Sequence, residues 1–284
     1  MLVRQLSDGF IDRLKATNLW RNHLRKDCQR GVVFLAIRND YVDFYYKGGR
    51  LFHYNGNNFS THIKYASVID TKNDNRNYLT EQELTERTLV SDFEKGYERI
   101  KENCFNFSKV EALGVAKAYE KNSYTSSKDI IFLDLEIAFQ ESGKNQDRID
   151  FLIFNTKEKE IQFIEAKHYT NSEIRAKGTP KVIRQVKKYN DLIRGHRNAI
   201  LLAYVNYIAL INQIFDLELP SPSILRKDTK LFIFGFDEDQ SKGRLTTQVL
   251  SNSEYKEVVV YTAQQIDDSL TGMWKKKISV IKEN

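Results

Sequence analysis

Two short apolar runs separated by a polar hexapeptide dominate the hydrophobic pattern of this chain. Residues 148–154, Arg148-Ile149-Asp150-Phe151-Leu152-Ile153-Phe154, and 161–167, Ile161-Gln162-Phe163-Ile164-Glu165-Ala166-Lys167, are rich in β-branched and aromatic side chains. Between them, Asn155-Thr156-Lys157-Glu158-Lys159-Glu160 has the composition of an exposed turn, so the two runs are predicted to pair as an antiparallel hairpin. With the turn centred near Lys157 and Glu158, Phe154 lies opposite Ile161, and the same register sets Asp150 opposite Glu165. Leu152, Phe154, Ile161 and Phe163 share the face of the two acids, while Ile149, Phe151, Ile153 and Ile164 make the other face apolar. That is the pattern of a sheet covered on both sides.

The flanking patterns extend this unit. A helix is predicted over 108–121, a strand over 130–139, a helix over 180–194 and a buried strand over 199–205, with further strands over 231–236 and 258–261 and a closing helix over 263–274. Pro220-Ser221-Pro222-Ser223 marks a loop among the last of these. The beginning of the chain reads differently. After an amphipathic, helix-like start through Leu24, the runs 32–38, 41–46, 50–54 and 59–65 are punctuated by Asn39-Asp40, Gly48-Gly49 and Asn55-Gly56-Asn57-Asn58, which predicts a small antiparallel meander. A polar connector over 70–87 follows, so a boundary is expected near position 90. The fold class read from this is α/β (α+β): a small β domain over 1–90, and a mixed central sheet flanked by helices over 91–284.

The charged residues of the hairpin change the picture. Directly opposed side chains in an antiparallel pair have Cβ atoms about 5 Å apart, and Lys167 projects from the same face roughly 6 to 7 Å further along. Two carboxylates this close repel, and one takes up a proton unless a cation intervenes. Oxygen donors without thiolate or imidazole suit a hard ion such as Mg²⁺, with Mn²⁺ as a substitute. Such an ion polarises a phosphodiester and stabilises the charge of its pentavalent transition state. The plainer reading makes Asp150, Glu165 and Lys167 solvated groups on a half-exposed hairpin, but the large apolar residues beside them argue against a wet surface.

Asp150 with Glu165-Ala166-Lys167 resembles the signature of the PD-(D/E)XK nuclease superfamily, with Ile149 standing where the name-giving pattern has proline. Gln185-Val186-Lys187-Lys188-Tyr189 is similar to the helical glutamine and tyrosine, four residues apart, of one branch of those enzymes. The resemblance covers roughly 110–205 and implies a restriction-endonuclease-like α-β-β-β-α-β core. It implies Asp150 and Glu165 as metal ligands, Lys167 as the group that positions the nucleophile, and Gln185 and Tyr189 reaching the site from their helix. It also implies a third carboxylate on the preceding helix or first strand, for which Glu111 is the first choice and Glu136 the rival, with Glu120 a weaker candidate. Val182, Val186, Tyr189 and Ile193 form a core stripe, so Tyr189 has a packing role as well.

Composition sets the remaining bounds. A formal net charge of +6 and a pI near 9.0 over 284 residues fit a nucleic-acid partner without requiring one. Lys181, Arg184 and Lys188, in a basic stretch after the hairpin, and Arg148, opposite Lys167 in the proposed register, are candidate phosphate contacts. Cys28 and Cys104 are too few for a disulfide framework or a zinc site, which fits a reducing cytoplasm. The charge-mixed 1–24 segment has no signal-peptide pattern, and the apolar 199–211 stretch is shorter than the roughly 20 residues a bilayer needs. No membrane partner is therefore expected. No GxxxxGK[ST] phosphate loop is present. Tyr41, Tyr45, Tyr46, Arg50 and Tyr54 offer an aromatic and basic face that could stack bases, yet such a pattern is more often a twisted sheet packing its rings, and packing is the reading taken here. The β domain could instead mediate a homodimer able to cut both strands of a duplex. The expectation is a Mg²⁺-dependent deoxyribonuclease in restriction, phage defence or repair. An RNA-directed nuclease, or a non-catalytic nucleic-acid-binding or assembly protein that kept the fold, are the alternatives.

Overall fold

The computed structural model describes residues 2–66, 77–84, 88–139, 148–176, 178–266 and 270–275. They form a mixed α+β protein of two compact units. The first comprises Val3–Ser126 with Ala203–Leu219, and the second Ser127–Leu202 and Pro220–Asn284 with the first two residues. The division thus falls at 126/127, not at the expected boundary near 90.

In the first unit, β1 (Phe34–Ile37), β2 (Val42–Tyr46), β3 (Gly49–Tyr54), β4 (Phe59–His62) and β5 (Tyr78–Thr80) form an antiparallel sheet in chain order. The predicted meander is present, and the reason for its tight β2–β3 connection is visible. Lys47 and Gly48 both have positive φ, and a Cβ on Gly48 would lie 2.6 Å from the Ala112 carbonyl. Only glycine fits there. Helices α1 (Phe10–Ala16), α2 (Arg25–Gln29), α3 (Ile63–Ala66), α4 (Tyr97–Asn106) and α5 (Val110–Asn122) complete the unit. Of the expected connector, 70–76 and 85–87 lie outside the described residues, while Glu81–Glu83 is a short 3-10 turn after β5. The aromatic packing expected on this sheet holds for Tyr45 and Tyr54, both buried, the latter against Phe10 and Phe59 at 5.3 and 4.6 Å.

In the second unit, β6 (Ile130–Ala138), β7 (Arg148–Asn155) and β8 (Glu160–His168) run antiparallel, and β9 (Ile224–Leu225), β10 (Lys230–Phe234) and β11 (Val259–Ala263) join in parallel. The spatial order is β11-β10-β8-β7-β6, with β9 beside the start of β8. The hairpin closes through an Asx turn: Asn155 Oδ1 accepts from the N–H groups of Lys157 and Glu158, and Lys159 takes the left-handed conformation. Phe154 pairs with Ile161, as the sequence register requires.

Helix α6 (Lys181–Gly195) covers one face. Val182, Ile183 and Val186 pack with Leu231 and Ile233 of β10 and with Leu245, Val249 and Tyr255. Each such side chain contributes about 1.5–3 kcal/mol on full burial, enough in sum to hold a polar site in the same sheet. The basic residues Lys181, Arg184 and Lys188 fall at i, i+3 and i+7 and line its exposed face.

The strand predicted over 199–205 is instead part of α7 (Arg197–Phe215). Its fully buried residues, Ile200, Tyr204, Tyr207, Ile208 and Ile211, recur at helical spacing over a stretch free of Gly and Pro. A window of seven apolar residues was too short to distinguish the two periods. Among the described residues, α7 is the one helix whose length and composition would allow it to cross a bilayer. The strands that join the sheet after α6 are therefore the short β9 and then β10. The closing helix expected over 263–274 shrinks to Thr271–Lys275 among the described residues.

Candidate active site

Asp150, on β7 between β8 and the edge strand β6, has an acid on each neighbouring strand. On β8 the paired register 151–164 continues to Asp150 and Glu165, and Asp150 Oδ2 accepts a 2.6 Å hydrogen bond from the Ala166 N–H. On β6, Leu135 pairs with Phe151 and Ile137 with Ile149, which sets Glu136 across from Asp150.

A local irregularity creates this row. The β6–β7 register slips by one residue between Phe132 and Asp134, and a one-residue slip exchanges the faces of a strand. Before the slip, Ile131 shares the face of Phe154; after it, Asp134 and Glu136 do. Glu136 also has φ 49°, in the left-handed region. For a residue other than glycine, such a conformation costs about 1–3 kcal/mol and concentrates at functional sites.

Lys167 supplies the positive charge. Its Nζ lies 2.7 Å from Glu165 Oε1 and 3.4 Å from Glu173 Oε2. Glu165 and Lys167 are buried, and a buried carboxylate without compensation costs several kcal/mol, so the ion pair is a condition of the fold here. Glu173 sits on a 3-10 turn after β8, Ser172–Ile174, whose N–H is capped by Asn171 Oδ1 and whose Ile174 is anchored in the core. Its carboxylate also pairs with Lys181 at the start of α6. The Lys181 hydrogen bond, aided by the charge of Lys167, holds the Glu173 carboxyl below the usual range in spite of partial burial. Sequence reasoning missed Glu173, because a short polar turn carries no periodic signal; only its distance of six residues from Lys167 hinted at it.

Helix α6 brings Gln185 and Tyr189 to the same strand end. Gln185 Nε2 donates to Tyr189 Oη at 3.1 Å, and Tyr189 Oη donates to the Arg148 carbonyl at 2.9 Å, two residues before Asp150. Gln185 Oε1 is enclosed with no hydrogen-bond partner among the described residues. Arg148 turns its side chain to Glu136 at 3.2 Å. Lys181, Arg184 and Lys188 are exposed on α6. Of the rivals for a third carboxylate, Glu136 belongs to the row. Glu111 lies in the first turn of α5, in the first unit, and Glu120, in the same helix, pairs with Lys47 at 2.5 Å.

Four carboxylates, Glu136, Asp150, Glu165 and Glu173, thus share this strand end with three cations, Arg148, Lys167 and Lys181. The excess falls on Asp150. Although the residue is only half-buried, desolvation pushes its carboxyl well above the ordinary range, and repulsion from Glu165 adds to this. The opposing pull of Lys167 and the Ala166 N–H is smaller, and Glu136 reinforces the repulsion. The oxygen donors fit a small hard cation, which would relieve the repulsion that one lysine leaves. As they stand, no three acidic, histidine or cysteine side chains among the described residues are grouped closely enough to hold an ion, so binding requires side-chain adjustment around Glu165 and Lys167. Comparison with protein-family models, with curated proteins and with solved structures finds no match for this chain.

The raised Asp150 pKa carries a stability cost. The folded chain keeps a proton on Asp150 at pH values where the unfolded chain has lost it, so stability falls as pH rises through that window. Above the folded-state pKa the penalty is complete. Asp150→Asn should therefore stabilise the protein at pH 8. The gain should shrink toward pH 4. Urea unfolding at both pH values measures it, and a destabilised variant at pH 8 would refute the repulsion.

Proposed function

We propose that this chain is a Mg²⁺-dependent nuclease that hydrolyses DNA phosphodiester bonds on a restriction-endonuclease-like core. The observation that carries the reading is the opposition of Asp150 and Glu165 across one strand pair, with Lys167 2.7 Å from Glu165. Further support comes from the three antiparallel strands β6 to β8 followed by α6, and from β10, which after α7 and β9 lies parallel alongside β8. The resemblance expects a strand directly after the helix, a place that α7 takes here.

Asp150 and Glu165, with Glu136 beside them, are the groups that would hold the ion, and when bound it polarises the phosphodiester and stabilises charge on the transition-state oxygens. Lys167, held between Glu165 and Glu173, has one further ammonium N–H to donate to the attacking water oxygen or to the developing oxyanion. Its burial makes that charge count for more than it would in water. Tyr189 fixes the backbone at Arg148, and through it the height of Asp150. Gln185 holds Tyr189 while its enclosed Oε1 remains able to accept from a donor in the site. Arg184 and Lys188 meet the substrate backbone along the exposed face of α6, which supplies affinity without reading sequence.

Asp150→Ala, Glu165→Ala and Lys167→Ala should each abolish Mg²⁺-dependent nicking or linearisation of plasmid DNA, with DNA retention on a gel largely kept. Cleavage by the wild type on RNA but not on DNA would move the substrate to RNA. No cleavage of either by the wild type would favour a binding or assembly protein. Glu173→Gln should retain cleavage but slow it several-fold. Without the second carboxylate that fixes the Lys167 ammonium, the loss should fall on kcat rather than KM. A wild-type rate in this variant would remove Glu173 from the site.

A further inference from the structure

The first unit carries an exposed line of rings that the sequence pattern did not single out. Tyr78 of β5 meets His62 of β4 edge-on at 5.2 Å between centroids. His62 lies 5.5 Å from Tyr65 of α3, and Tyr65 lies 6.4 Å from Phe107 at the end of α4. A cation closes each end: the Arg50 guanidinium stands 4.5 Å over the Tyr78 ring, and Lys64 Nζ stands 5.4 Å over Phe107.

These rings are not core. Tyr78 and Phe107 are 42% and 55% exposed, whereas Phe52 and Phe93 of the same unit are 0% and 1%. Large aromatic groups left in water next to buried ones mark a binding surface more often than a packing defect. The local charge is positive: His62 holds its proton less readily than usual, chiefly through desolvation and then through repulsion by Lys64 and Arg50. The acid paired with Arg50, Asp43 at 3.6 Å, is buried beneath it and does not face outward.

We infer that this line of rings binds single-stranded nucleic acid, with unpaired bases stacking on Tyr78 and Phe107 and backbone phosphates meeting Arg50 and Lys64. Rings that alternate with cations fit a chain whose own planar groups alternate with anions, and every base offers a face to stack. A duplex hides those faces inside its own stack. An acidic peptide would answer the cations but leave the rings unused. The surface differs from the face named from sequence, because Tyr45 and Tyr54 turned inward and Arg50 alone carries over. The inference does not depend on the acids of the second unit or on cleavage.

The test is fluorescence anisotropy of the full chain in EDTA, with a labelled oligothymidylate and a duplex of equal length. Tyr78→Ala with Phe107→Ala should weaken oligothymidylate binding at least about tenfold, leave duplex binding within about twofold, and leave the melting temperature unchanged. Tyr78→Phe with Phe107→Tyr should restore binding, which separates stacking from folding. Lys64→Glu should weaken binding in a salt-dependent way. Unaltered oligothymidylate affinity in the double alanine variant would overturn the assignment, as would equal losses on single strand and duplex. Polyglutamate competing as well as oligothymidylate would overturn it too. Because EDTA suppresses metal-dependent chemistry, failure of the nuclease proposal would not alter these outcomes.

Discussion

The second unit is organised around a repulsion. The β7–β8 pairing runs to Phe151 and Ile164, and one step beyond it the bond from the Ala166 N–H to Asp150 Oδ2 holds Asp150 beside Glu165. Burial first, and then the repulsion from Glu165 that one lysine does not cancel, make Asp150 hold its proton more tightly than an ordinary carboxylate. The apolar packing on both faces of the sheet stabilises the strands strongly enough to keep this arrangement in place. A sheet that tolerates such a cost at one end, and a left-handed Glu136 next to it, has the signature of a site shaped for a charged ligand.

The supporting residues divide by what they restrain. Tyr189 and Gln185 restrain the backbone from the α6 side. Glu173 restrains the ammonium of Lys167 and links it to Lys181, the first cation of the basic face of α6. The buried carboxylate, the buried ammonium and the exposed basic face of α6 therefore form one connected electrostatic network, and a change at Glu173 should be felt at both ends.

Local features of the sequence carried far. The hairpin register could be read because its turn is short and polar and its side chains alternate with a period of two, so a single anchored pair determines all the others. Gln185 and Tyr189 could be paired because they stand one helical turn apart. What escaped was set by non-local contacts. The bulge between Phe132 and Asp134 has no residue signature, yet it is what brings Glu136 into the row with Asp150. Glu173 lies on an irregular turn. Residues 199–205 are equally apolar as strand or helix, and only the full length of α7 distinguishes them. The division of the chain differs from the expected one because residues 203–219 and the 91–126 stretch cluster with the first sheet, a tertiary choice that composition does not record.

The paired carboxylates are tested most directly by calorimetric titration with Mn²⁺ at pH 7 in two buffers of different ionisation enthalpy. One ion should bind and displace up to about one proton, because the cation replaces the proton that Asp150 holds. Both the binding and the proton release should be lost in Glu165→Gln. Binding without proton release, or binding that persists unchanged in that variant, would contradict the claim that Asp150 and Glu165 form a single cation-seeking pair.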